Sequence, residues 1–151
     1  MTTVYDVPPQ KLIDMTADKL REFPEITQPD WARDVKTGTH VETQPVQENW
    51  WHVRTAAVLR KVYLYGPIGT ERLSAEFGGA RDRKVKPYKA VKGSRSIIRH
   101  SLMQLESAGL IVADKNKGRV ITPKGQSLLD NTARDVMKEL ASADPELSKY
   151  Y

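Results

Sequence analysis

The sequence predicts a mostly α protein: a winged helix-turn-helix core around a central amphipathic helix, with a small β-hairpin wing and extra N- and C-terminal helices. Three observations carry that expectation. The stretch NWWHVRTAAVLRKVYLYG, Asn49 to Gly66, is the most apolar on the chain, and more than half of its helical circumference is apolar, so it must be largely enclosed. A short and then a longer helical pattern follow it, the longer one with a basic outer side. The run LIVADKNKGRVITP then reads as two short strands around a polar turn. A chain of 151 residues is long enough for one sizeable core. A single domain over 1–151 is expected, with an N-terminal helix and irregular connection in 1–48, the winged-helix core in 49–126, a C-terminal helix in 122–141 and a tail in 142–151.

Asp6, Val7, Pro8 and Pro9 mark the start of a first helix, because Asp can cap open amides and proline is tolerated in a first turn. Leu12, Ile13, Thr16, Leu20 and Phe23 recur at three- and four-residue spacing up to Pro24. Residues 24–48, with Pro24, Pro29, Pro45 and Gly38, show no period and read as an ordered connection pinned to the core by Trp31. Asn49 and Gly66 stand where an N-cap and a C′ glycine belong on the central helix. Thr70 is placed to cap a short helix, Glu71 to Phe77, and Ser94 to cap the helix over residues 95–108. On that helix Ile98, Leu102 and Leu105 share one face, and Arg95, Arg99, Met103 and Glu106 the other. Strands are expected at Leu110 to Asp114 and Val120 to Thr122, joined by a turn with Asn116 and Gly118. Thr122 and Pro123 then open the last helix, and the end from Asp144 reads as frayed.

Charge is distributed unevenly. Residues 81–99 hold Arg81, Arg83, Lys84, Lys86, Lys89, Lys92, Arg95 and Arg99 against Asp82 alone, on a chain whose net charge is only +5. Residues 81–93, bounded by Gly and poor in apolar side chains, read as an exposed basic loop. Such local basicity fits a polyanion-binding surface. If about five phosphates are neutralised there, log K falls with log salt at a slope of roughly −3.5 to −4.5.

Enzymatic readings find no support in the sequence. The absence of cysteine excludes disulfides, thiolate metal sites and a thiol nucleophile, and with the N-terminal MTTVYDVPPQ it favours the cytoplasm. His40, His52 and His100 form no metal-ligand spacing, and neither a phosphate loop, a dinucleotide fingerprint nor a GxSxG elbow occurs. No catalysis, metal, cofactor or small-molecule substrate is expected, and no apolar run is long enough to cross a bilayer.

The chain also resembles the archaeal and eukaryotic type of small-subunit ribosomal protein nineteen. The resemblance rests on Pro29, Asp30 and Trp31 with Asp34, Val35 and Lys36, and on Glu48, Asn49 and Trp50 with Arg54, Ala56, Arg60, Tyr63 and Leu64. It continues through Gly78, Gly79 and Arg81, then Gly93, Ser94 and Ser96, and ends with Leu105, Glu106, Gly118, Arg119, Thr122, Pro123, Gly125 and Gln126. No one motif decides it; order and spacing do. The resemblance implies a structural component binding ribosomal RNA in the head of the small subunit, with a part in subunit maturation and neighbouring ribosomal proteins as partners. It carries the RNA-facing role onto Arg54 and Arg60, the loop from Arg81 to Lys92, and Arg95 and Arg99. Two departures stand out: Lys89 replaces an expected histidine, and Lys84 stands where a glycine is frequent.

Within that surface the residues have alternatives. Ser94 serves either as an ordinary cap or, with Gly93, as part of a phosphate site at a helix start. Arg54 and Arg60 face RNA or pair internally with a carboxylate such as Glu48 or Asp34. Trp31, Trp50 and Trp51 suit core packing better than base stacking, and Tyr88 in the basic loop is the better stacking candidate. The competing function is a winged-helix DNA-binding regulator reading a groove with residues 95–106. That reading wants an Asn, Gln, Arg or Ser set on the outer helix face and a dimer element; the face offers Arg95, Arg99, Met103 and Glu106, the last helix shows no clean heptad seam, and the isolated chain is expected to be a monomer.

Overall fold

A computed structural model describes residues 2–144 and 146–150. Helix α1 (Pro9–Leu20) buries Leu12, Thr16, Ala17 and Leu20, as its spacing predicts. Buried Thr16 closes its hydroxyl onto the Leu12 carbonyl one turn back, at 2.6 Å, so its polar group is satisfied inside the core. Asp6 does not cap this helix. Its carboxylate accepts from the Thr3 amide and hydroxyl at 2.7 and 2.9 Å, which turns the chain earlier, and Pro8 takes the N-cap position.

Residues 24–48 are ordered but irregular, with one 3-10 turn at Asp30–Arg33. Trp31 pins them as expected, meeting Trp51 edge-on at 5.7 Å and His100 at 4.9 Å. Gln104 adds a clamp, accepting the Trp51 indole N–H at 2.9 Å and donating to the Thr27 carbonyl at 2.7 Å.

Helix α2 (Trp50–Tyr65) buries Trp50, Trp51, Thr55, Ala56, Val58, Leu59 and Val62 and is the hub against which α1 and later helices pack. Both of its tryptophans are therefore core. Its ends depart from the sequence reading. Asn49 makes no side-chain cap, and Gly66 has φ −59°, not the left-handed value of a C′ glycine. Gly66 supplies space instead, since a Cβ there would stand 2.5 Å from the Val62 carbonyl oxygen. A cis peptide joins Gly66 to Pro67. Helix α3 (Thr70–Glu76) follows with Gly69 at its N-cap, so Thr70 is its first residue rather than its cap.

The largest departure lies between α3 and the next helix. The stretch expected to be a loop is a hairpin of β1 (Gly79–Arg83) and β2 (Lys86–Val91). Every residue from 80 to 90 is exposed, so neither face packs and no apolar alternation marks the strands.

Helix α4 (Arg95–Ser107) buries Ile97, Ile98, Ser101, Leu102 and Leu105 and exposes Arg95, Arg99, Met103 and Glu106. Ser94 caps it, its Oγ accepting the Ile97 N–H at 3.4 Å. At the other end Gly109 takes φ +73°, its amide donating to the Glu106 carbonyl and that of Leu110 to Leu105, a closed left-handed cap. Strands β3 (Ile111–Asp114) and β4 (Gly118–Ile121) form the wing, each within two residues of the expected bounds, with Ile111 opposite Ile121. Thr122 caps α5 (Pro123–Ala143), accepting the Gly125 amide at 3.2 Å.

Helix α5 lies along α1, where Lys19 Nζ sits 2.6 Å from Asp135 Oδ2. Beyond it Leu147–Tyr150 form a 3-10 turn beside α5 where the sequence suggests a frayed end; Pro145 and Tyr151 of that tail lie outside the described residues. The fold is mostly α with a winged-helix core, and the basic hairpin is an insertion between α3 and α4.

Candidate nucleic-acid interface

The inserted hairpin places like charges directly opposite one another. Arg81 faces Lys89 and Arg83 faces Lys86 across the strand pair. Such pairs oppose hairpin formation by about 0.5 kcal/mol each. The segment's one carboxylate does not offset them. Asp82 Oδ1 accepts the Lys84 amide at 2.7 Å and so fixes the turn. That bond accompanies a left-handed Lys84, φ +61°, a conformation a glycine adopts without the cost of a Cβ. The departure at Lys84 is therefore a cation held in a glycine-type turn. Arg83 braces the tip by donating from Nε to the Pro87 carbonyl at 2.8 Å. Tyr88 is 69% exposed, so its ring is open to a stacking partner.

The hairpin is held at its root by backbone contacts. The Gly93 amide donates to the Ser74 carbonyl at 2.8 Å, the Ser94 amide to Thr37 at 2.9 Å, and Gly38 bridges Gly93. A Cβ on Gly93 would come within 2.7 Å of the Phe77 carbonyl oxygen, so the two legs of the root meet through bare backbone. These bonds use the Gly93 and Ser94 amides within the protein, and the Ser94 hydroxyl caps α4, so the anion-binding capacity of this helix start lies in the amides beyond them.

The other sequence-selected residues, Arg60 excepted, group around this root. Arg95 and Arg99 are exposed one turn apart on α4. Lys92 is tied to Glu71 of α3, a partner that sequence reasoning missed because it lies 21 residues away. Lys92 and then Arg95 hold the Glu71 carboxyl below its ordinary value of 4.5. Arg54 is half-buried, its Cζ 4.7 Å from the Phe77 ring centroid, and burial lowers its pKa. Arg60 stands elsewhere: six residues on, it emerges about 120° away around α2. Its Nε is buried without a hydrogen-bond partner. Neither arginine forms an ion pair with Glu48 or Asp34 or with any other described residue. The structure thus gathers Arg81, Arg83, Lys84, Lys86, Tyr88, Lys89, Lys92, Ser94, Arg95 and Arg99 on the hairpin and adjoining helix, sets Arg54 at the root, and leaves Arg60 on another stripe.

No group of three or more His, Asp or Glu side chains among the described residues converges as a metal site, and none of their helices is long and apolar enough to cross a membrane. What the arrangement offers chemically is fixed positive charge with exposed donors.

Residues 3–139 match the family described as Ribosomal protein S19e. The chain belongs to the ribosomal protein S19e family. Small ribosomal subunit protein eS19 of Thermoplasma acidophilum is 46% identical over 150 residues, covering 99% of each chain. That of Haloarcula marismortui is 44% identical over 154 residues, again 99% of each. Small ribosomal subunit protein eS19A of Schizosaccharomyces pombe is 37% identical over 137 residues, 91% of this chain and 95% of its own. The S19e match spans both hairpins and every α-helix except the last residues of α5.

Proposed function

We propose that this chain is a structural constituent of the small ribosomal subunit, not an enzyme, and that its cationic hairpin grips ribosomal RNA in the subunit head. The observation that carries the RNA-gripping role is the pairing of Arg81 with Lys89 and Arg83 with Lys86, none of the four in an ion pair with a described residue. A strand pair built on repulsion is relieved by a ligand with closely spaced negative charge, and an RNA backbone supplies it with counterion release. The names of the relatives support the subunit assignment. By the same reading the chain works in the cytoplasm on the ribosome, contributes to subunit maturation, touches neighbouring ribosomal proteins and is a monomer when isolated. Nothing in the names of the relatives favours the DNA-reading alternative, although Arg95 and Arg99 on the outer face of α4 are side chains able to read guanine.

Sedimenting lysate on a sucrose gradient tests this function. The chain comigrates with small subunits and leaves them only at high salt. Recovery solely at the top of the gradient at low salt overturns it.

A further inference from the structure

Helices α1 and α2 and residues 37–47 enclose a cleft of about 400 Å³. That size falls in the range of small-molecule sites, roughly 300–1,000 Å³. Its lining contains no carboxylate, and its one charged side chain is Arg54. The guanidinium rests against Phe77, yet its N–H donors make no hydrogen bond or ion pair with any described residue. The side chain is half-buried, and that partial desolvation disfavours its charge and lowers its pKa. An anionic group entering the cleft offsets that penalty.

The remaining walls suit a base. Trp50, Val53 and Phe77 give apolar and aromatic surface. Gln44, Gln47 and Gln10 supply amides, each both donor and acceptor, as the polar edge of a base requires. Position selects nucleic acid over an acidic peptide. Thr37, whose carbonyl holds the Ser94 amide, and Phe77, which leads into Gly78 and β1, line the cleft and also form the hairpin root. The cleft is therefore continuous with the cationic surface.

We infer that this cleft receives one unstacked nucleotide of the bound RNA, its phosphate on Arg54 and its base against Trp50, Val53 and Phe77, with its edge toward the glutamines. The inference rests on the RNA-binding reading above and extends it from backbone grip to a nucleotide pocket.

The test uses the full chain and a fluorescent 12-nucleotide single-stranded RNA carrying 4-thiouridine. Anisotropy gives affinity across salt, and irradiation followed by mass mapping gives the contacts. Ala57→Leu fills the cleft floor with methylene groups and removes no charge. It weakens binding about tenfold, as loss of one seated base does, and makes the slope of log K against log salt shallower by about 0.7 at most, the share of the one phosphate on Arg54. In the wild-type chain crosslinks fall on residues 44–50 or Phe77 as well as on the hairpin; this arm does not depend on the variant folding. Crosslinks confined to the hairpin, with Ala57→Leu binding like wild type, overturn the pocket and leave RNA binding standing. Absence of RNA binding by the wild-type chain overturns both. Binding of a deca-glutamate peptide that Ala57→Leu abolishes, without crosslinks from RNA to the cleft, reassigns the cleft to a protein partner.

Discussion

The two hairpins share a secondary structure and little else. In the wing, Ile111 stands opposite Ile121 with Ile111 fully buried, and Arg119 bridges through its backbone to Ile68, so the core specifies the strands. In the inserted hairpin no residue from 80 to 90 is buried, and two facing pairs repel. The wing contributes to stability; the inserted hairpin draws on it, held by its turn and its root. Residues that weaken their own element in the free protein are what the proposed RNA grip calls for.

That contrast can be broken from either side. The largest effect is expected in the wing. Ile111→Ala removes a buried side chain and lowers unfolding free energy by about 2–5 kcal/mol, read by thermal or denaturant melting. Charge reversal at Lys84, Lys86, Lys89 and Lys92 lowers stability by no more than about 0.5 kcal/mol, because relief at the Arg81–Lys89 and Arg83–Lys86 pairs offsets loss of the Lys92–Glu71 pair. It makes the salt dependence of RNA binding shallower by roughly 3 in slope, measured by anisotropy across a salt series. Unchanged binding in that set removes the hairpin from the interface.

Smaller changes sharpen the comparison. Glu71→Gln frees Lys92 and relieves the field on Arg95, so RNA affinity rises and the salt slope steepens by about 0.7–0.9. The opposite sign means that Glu71 orients Lys92 rather than competing for it. In the body, the Lys19 ammonium holds the Asp135 carboxyl below its ordinary value of 3.8. The folded pKa is depressed, so the pair's contribution is present at neutral pH and disappears as pH falls below that value. Both groups are about a third or more exposed, so Asp135→Asn costs only about 0.2–1 kcal/mol at pH 7. The two proteins then melt alike once the pH has fallen through the depressed pKa of Asp135. Least of all, Lys84→Gly relieves the left-handed turn and slows amide exchange in β1 and β2 without moving the global melting temperature.

The same contrast explains what could be read in the amino-acid order. The helices are legible because Leu12, Val58, Leu102 and Leu129 each sit on an apolar stripe of the helical period, and the wing because apolar strands flank Asn116 and Gly118. Sequence periodicity reports burial, and the inserted hairpin buries nothing, so only its charge is visible. Its turn carries one overlooked cue, an Asp two residues before the left-handed Lys84, the pattern of a side chain closing a turn on the backbone. The cap assignments split on geometry: the Ser94 and Thr122 hydroxyls each accept an amide three residues on, Thr122 also donating to the Gly109 and Leu110 carbonyls, whereas Asn49 and Asp6 do not meet such an amide. The root is invisible because Thr37 with Ser94 and Glu71 with Lys92 are distant pairings without a local signature.

That root divides labour within the arm. Where Ser74, Thr37 and Gly38 hold Gly93 and Ser94, the direction of the hairpin is set by main-chain bonds that no surface substitution alters. The side chains beyond can vary in length and chemistry without redirecting the arm. Aim belongs to the backbone of the body and, in the proposed function, grip to the residues at the tip, so the acidic, irregular stretch before α2 is the bracket from which a cationic handle is hung.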